Sequence, residues 1–236
     1  MNKSKKNLLV LSFHTCPLGK LGTESAGGMN VYVLQLSLAL EKLGFSIDIF
    51  TIDHSECTEK ITNITTNIKV IHLNTVQQNI SKEDLYNHIE TFKRQLINYI
   101  NEHNIIYDII HSHYWLSGII GKDLSQVLGI NNVVTFHTLA EIKNQIKGQQ
   151  KESQIRLEKE QEIVKSTGTI IVSTNHELEV LTNRYQIDSS KVKIIPPGVD
   201  LSLFKPKNKM NSLKQIGMGK GPIIIYVGRI DPIKGL

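Results

Sequence analysis

Arg229 and Lys234 lie five residues apart on a glycine turn, Gly228-Arg229-Ile230-Asp231-Pro232-Ile233-Lys234, just after the apolar run Ile223 to Val227. Two cations on a loop at the carboxyl end of a strand suit a diphosphate, held in the crevice where open α/β sheets bind ligands. A second polar stretch, His14 to Asn30, ends in Gly27-Gly28. A glycine pair before a helix lets backbone N–H groups approach an anion, although alone it is more often a tight turn. Neither a dinucleotide fingerprint nor a P-loop is present. His111-Ser112-His113-Tyr114-Trp115 and Phe136-His137-Thr138 follow two further apolar runs. Three histidines invite a zinc reading, but no carboxylate stands at metal spacing and the rings of His111 and His113 are expected on opposite faces. No metal is therefore expected, and satisfied or substrate-contacting histidines are preferred. Tyr114 and Trp115 read as a sugar platform, against the ordinary reading of a lone Trp as core. Lys82 and Arg156 sit on charged helical stretches, where a solvated surface is the default. Glu158, Glu160 and Glu162 read as i,i+4 partners for lysines.

Apolar runs of strand length that alternate with longer segments of helical period must position these residues. Leu8 to Leu11, Ile47 to Phe50, Lys69 to His72, Asp108 to His111, Val133 to Phe136, Thr169 to Val172 and Val192 to Ile195 predict strands. Helices are predicted from Gly28, with Val31, Leu34, Leu38, Leu40 and Leu43 as apolar stripe and Gly44 as C-terminal cap. Another starts at Ser81 and runs to Glu102, with Leu85, Ile89, Phe92, Leu96 and Ile100 on one face. Further helices are predicted over 117–128, 151–166, 177–185 and 211–216. The alternation predicts an α/β fold, a doubly wound, mostly parallel sheet over residues 1–198. Pro196-Pro197-Gly198 opens a linker over 199–220, and residues 221–236 begin a second domain with the strand Ile223 to Val227.

The 236 residues carry a formal net charge of +5, with 40% hydrophobic and 21% charged residues, as in an ordinary globular protein. The charge favours anionic partners without choosing among them, and no clustered basic stripe speaks for nucleic acid. No apolar run approaches the ~20 residues of a membrane span, so no stable membrane insertion is expected. Two cysteines, Cys16 and Cys57, without metal spacing fit reduced thiols and a cytoplasmic location.

Five motifs in order carry a resemblance. They are Ser25-Ala26-Gly27-Gly28-Met29-Asn30-Val31-Tyr32-Val33, His111 to Gly118, Phe136-His137-Thr138-Leu139, Pro196-Pro197-Gly198-Val199-Asp200 and Gly228-Arg229-Ile230. Together they resemble the retaining GT-B glycosyltransferases of family 4 over the whole chain, closest to the branches that act on sugar phosphates and inositol phosphate. The resemblance implies a Rossmann-like acceptor domain here and a donor domain after it. It implies transfer of a hexosyl unit from a UDP-sugar to a phosphorylated sugar or polyol, with retention and without a cofactor. By resemblance, Gly28 lies at the donor diphosphate, Asn30 beside the acceptor, and His137 against the transferred sugar. Lys82, Tyr114, Thr138 and Arg156 match an acceptor-phosphate grip, while Arg229 and Lys234 match the pair that neutralises the leaving diphosphate. Such transfer is described as a same-face attack in which the donor phosphate helps take the acceptor proton, without a protein nucleophile.

The family's paired glutamates, spaced E-x7-E, are expected beyond Leu236 in a longer enzyme, and the chain alone is expected to be inactive. The alternatives are a non-catalytic module that binds a sugar phosphate or a partner, and another sugar-nucleotide enzyme of the same shape, such as an epimerase.

Overall fold

Leu8, Leu9, Val10 and Leu11 are all buried, as a strand covered on both faces requires. In the computed structural model, which describes residues 5–20, 27–53, 59–73, 84–146, 151–219 and 221–228, they belong to β1 (Lys6–Leu11). There follow α1 (Gly28–Lys42), β2 (Phe45–Ile52), β3 (Ile61–Asn63), β4 (Ile68–Leu73), α2 (Ile89–Glu102), β5 (Ile109–His113) and α3 (Tyr114–Leu128). Then come β6 (Asn131–Thr135), α4 (Ala140–Asn144), α5 (Gln154–Ser166), β7 (Thr169–Val172), α6 (Asn175–Arg184), β8 (Val192–Ile194) and α7 (Lys209–Gln215). The chain divides into two units, Met1–Ile195 and Pro196–Leu236.

The larger unit is one sheet in the order β3-β4-β2-β1-β5-β6-β7-β8, parallel throughout except for β3 at the edge beside β4. Alternate residues of β1 feed two cores. Leu9 and Leu11 join Phe92 of α2, Leu116 of α3 and Ile163 of α5, whereas Leu8 and Val10 join Val33 of α1 with Ile47, Ile49 and Val70. Helices therefore cover both faces, as a doubly wound sheet demands. From β1 the strand order departs in both directions, to β2 on one side and β5 on the other. That reversal is the switch point, and the crevice outside its strand ends is where this class of sheet binds ligands.

Most predicted elements are present, with instructive departures. The stripe of α1 is displaced: Asn30, Val33 and Ser37 face the sheet, while Val31 and Leu43 are exposed. Leu38 and Leu40 of the predicted stripe still pack against the core, but the most deeply buried positions include two polar residues because the helix start is tied to the loop after β1. Leu85, Ile89, Phe92, Leu96 and Ile100 are buried as predicted, but the first turn is 3-10 (Asp84–His88); Ser81 and Lys82 lie outside the described residues. α3 starts at Tyr114 rather than Ser117, since Tyr114 takes φ +76° and turns the chain directly from strand to helix. β3 and α4 were not predicted; three and five residues are too short to show a period.

In the smaller unit, α7 is capped by Asn208, whose side chain accepts from the Asn211 N–H. Residues 223–227, predicted as a strand, form none; Ile224 is 100% and Val227 90% exposed. A strand is stabilised by its ladder partners, and no described strand of this unit offers one. Arg229 and Lys234 lie outside the described residues. No helix among the described residues is long and apolar enough to cross a membrane.

Candidate functional site

Loops after β1, β5 and β6 end side by side at the switch point, and each carries residues singled out by type. After β1, Asn30 is buried at the first turn of α1. Its amide donates to Thr15 Oγ1 (2.7 Å) and the Cys16 carbonyl, and its Oδ1 accepts from the Gly27 N–H (2.9 Å). Both amide hydrogens thus hold the loop against the helix. Gly27 and Gly28 are exposed there, and a Cβ at either would meet nothing within 4 Å.

After β5 and β6 the three histidines come together. His113 and His137 share a hydrogen bond of 3.0 Å between Nδ1 and Nε2, and His111 Nε2 lies 2.9 Å from Thr135 Oγ1. The rings of His111 and His113 are 4.1 Å apart, which corrects the expectation of opposite faces: residues two apart on a strand point the same way. Tyr32 of α1 sets its ring edge-on to His137, 5.1 Å between centroids. Burial lowers all three imidazoles, His137 to about 4 and His111 to about 3, with His113 well below its usual value. They are neutral at pH 7, each able to donate one hydrogen bond and accept another. His113 and His137 spend nitrogens on each other, and among the described residues no group of three His, Cys, Asp or Glu is disposed to hold a metal ion. His137 itself sits at φ +62°, a left-handed conformation that a non-glycine residue holds only under constraint.

The third cluster gathers around Arg156 of α5, which is not a solvated residue: it is 1% exposed. Its Nε donates to Glu160 Oε1 (2.7 Å). Its Nη1 donates to Tyr114 Oη (3.1 Å) and Glu152 Oε2 (2.8 Å), and its Nη2 to the Thr138 carbonyl (2.7 Å) and Oγ1 (3.3 Å). The guanidinium carbon also stands 4.9 Å from the centre of the Tyr114 ring. Glu160, completely buried, takes further hydrogen bonds from the Ala140 N–H (2.9 Å) and Tyr185 Oη. Desolvation pushes the Glu160 carboxyl up and Arg156 opposes it, while the neighbouring carboxylates raise Arg156, which stays charged. Tyr114, Thr138 and Arg156, far apart in sequence, are thus one cluster. Trp115 is not an exposed platform but lies in the core, stacked on Tyr86 at 6.0 Å and edge-on to Tyr114 at 6.3 Å. Glu152 and Tyr32 have no site role in the sequence reading, and Glu160 is read there as an i,i+4 partner for lysines. The i,i+4 spacing of Glu152 and Glu160 about Arg156 is the available signal.

The family profile of Glycosyltransferase Family 4 matches residues 26–203. D-inositol 3-phosphate glycosyltransferase of Mycobacteroides abscessus is 36% identical over 234 residues, 97% of this chain and 53% of that protein. The same enzyme of a Nocardioides species is 32% identical, over 97% of this chain and 51% of that protein. The chain spans about half the length of the curated relatives it matches. Among solved structures, sucrose-phosphate synthase from Thermosynechococcus elongatus superposes with a TM-score of 0.87 at 30% identity, covering 98% of this chain and 57% of that one. HepE of Anabaena, in complex with UDP and glucose, shares the fold with a TM-score of 0.58 at 13% identity, covering 89% of this chain and 50% of that one. With a match over most of its length at the elements that build the switch-point crevice, the chain belongs to Glycosyltransferase Family 4.

Proposed function

We propose that residues 1–198 form the acceptor domain of a retaining hexosyltransferase, joined by the linker 199–220 to a donor domain that begins at 221–236. The reaction is transfer of a hexosyl unit from a UDP-sugar to a phosphorylated sugar or polyol in the cytoplasm, with the nucleotide sugar as substrate and no cofactor. The observation that carries the reading is the convergence of Tyr114, Thr138 and the buried cation Arg156 beside the switch-point loops. A fixed guanidinium with a hydroxyl and a phenol around it is suited to a phosphate. Lys82 completes this grip, and Arg229 with Lys234 neutralises the leaving diphosphate. Gly28 gives the donor diphosphate a bare helix N-terminus, and Asn30 shapes the acceptor side through the loop it ties. Neutral His137, pinned by His113, turns toward the transferred sugar as a hydrogen-bonding partner rather than a charged acid.

Relatives named for inositol 3-phosphate and for sucrose phosphate support the substrate class without choosing between them. The test is a thermal-shift titration of the chain with fructose 6-phosphate, inositol 3-phosphate, the matching unphosphorylated compounds and UDP. A melt raised by one phosphorylated acceptor and not by its unphosphorylated counterpart is expected. A cooperative melt that no phosphorylated compound moves would overturn the phosphate reading.

A further inference from the structure

All five N–H groups of Arg156 already have acceptors inside the protein: one to Glu160, two shared between Glu152 and Tyr114, and two to Thr138. A ligand that takes hold of this guanidinium must displace one of them. Glu160 is sealed, with three donors and no exposed surface. The Thr138 carbonyl is backbone, at the entrance to α4. Glu152 differs: its side chain is 14% exposed, and it carries a second cation, Lys143 of α4, as an alternative partner. Its own backbone is fixed, because its N–H donates to Asn144 Oδ1 (2.7 Å) and Ser153 beside it caps α5. Only the carboxylate need move. The cluster is also electrically closed before any ligand arrives, with Arg156 and Lys143 balanced by Glu152 and Glu160.

We propose that Glu152 is an internal competitor for the anion position on Arg156. A phosphate dianion displaces its carboxylate from Nη1, and Lys143 keeps the released carboxylate paired. The competitor sets a charge threshold: neutral sugars and weakly charged groups gain too little from Arg156 to dislodge a carboxylate at 2.8 Å. Lys143 acts through Glu152, by drawing it away from Arg156, and is a positioning residue. This inference rests on the reading of Arg156 as part of a phosphate site.

The test is calorimetric titration of the whole chain with fructose 6-phosphate and inositol 3-phosphate at fixed ionic strength. Glu152→Gln keeps an amide oxygen for Nη1 and removes only the charge, so it is expected to bind the phosphorylated probe about tenfold more tightly, about 1.4 kcal/mol. Lys143→Gln leaves Glu152 with Arg156 alone and is expected to weaken binding severalfold. In the double variant the loss of Lys143 is expected to be silent. Thermal melts of each variant verify that it is folded, and Arg156→Lys reports on the site itself. If the probe binds wild type and needs Arg156, but Glu152→Gln leaves affinity unchanged or weaker, the competitor is overturned and the phosphate reading stands. A Lys143 effect that persists in the Glu152→Gln background overturns its positioning role, since Lys143 would then touch the ligand directly. If neither wild type nor Glu152→Gln binds any phosphorylated probe, both readings fall.

Discussion

At the residue scale, the three clustered histidines, His111 and His113 buried and His137 partly so, make stability depend on pH in a definite direction. Their folded pKa values lie below the ordinary 6.5, about 4 for His137 and about 3 for His111, because burial opposes the charged ring. An unfolded chain protonates them near 6.5 while the folded chain does not. The stability of the neutral rings is therefore fully present above pH 6.5 and is lost as pH falls toward the folded values. Each such group contributes a slope of about 1.4 kcal/mol per pH unit in that window. Urea denaturation at pH 7 and pH 5 is expected to show this loss, and His137→Asn to flatten the slope by about one proton. Asn also tolerates the left-handed backbone at this position. An unchanged slope in that variant would mean that His137 titrates normally. The histidine types and their place after apolar runs were legible in the sequence. Their mutual contact was not, since His113 and His137 are 24 residues apart and meet only through β5–β6 pairing.

At the element scale, α3 lies unusually close to the strands that carry the site, and glycine makes that approach possible. A Cβ on Gly121 would stand 2.0 Å from Ser112 Oγ and 2.8 Å from the Asn132 amide, one residue on β5 and the other on β6. Gly118, one turn earlier, meets Ile163 of α5 at 2.9 Å in the same sense. Gly121→Ala is expected to push the helix from the sheet and destabilise the unit by about 1–3 kcal/mol, as overpacking does. Chemical denaturation measures this, and a neutral result would show that the Ser112–Asn132 pair swings aside at no cost. The period of α2 was readable because its buried residues are all apolar. That of α1 was misread because its buried face is Asn30, Val33 and Ser37, two of them polar. Asn30 spends its amide on the loop after β1 and Ser37 its hydroxyl on the Val33 carbonyl of its own helix, and such polar positions leave no hydrophobic period.

At the scale of the whole molecule, the larger unit closes its own parallel sheet and both cores within Met1–Ile195. Ile224, Ile225 and Val227 are exposed, and among the described residues of their unit there is no strand. Removal of residues 207–236 is expected to raise solubility and to shift the melting temperature by less than about 2–4 °C, the change that 1 kcal/mol produces in a domain of this size. A much larger fall in the melting temperature of the shortened chain would show that the first unit depends on the second.

The sequence by itself determined the alternation of strands and helices, the covered sheet, and the polar character of the loops at the strand ends, because those follow from local period and residue type. It also held the ordered motifs that point to the family. Only the tertiary structure decided that Arg156 is buried rather than solvated. Whether a charged side chain on a helix meets water or a neighbour depends on which face packs inward, and a helix rich in Glu and Lys has no apolar stripe to declare that face. Of the partners that make burial tolerable, Glu160 stands one turn along the same helix, while Tyr114 and Thr138 come from elements that only folding brings together.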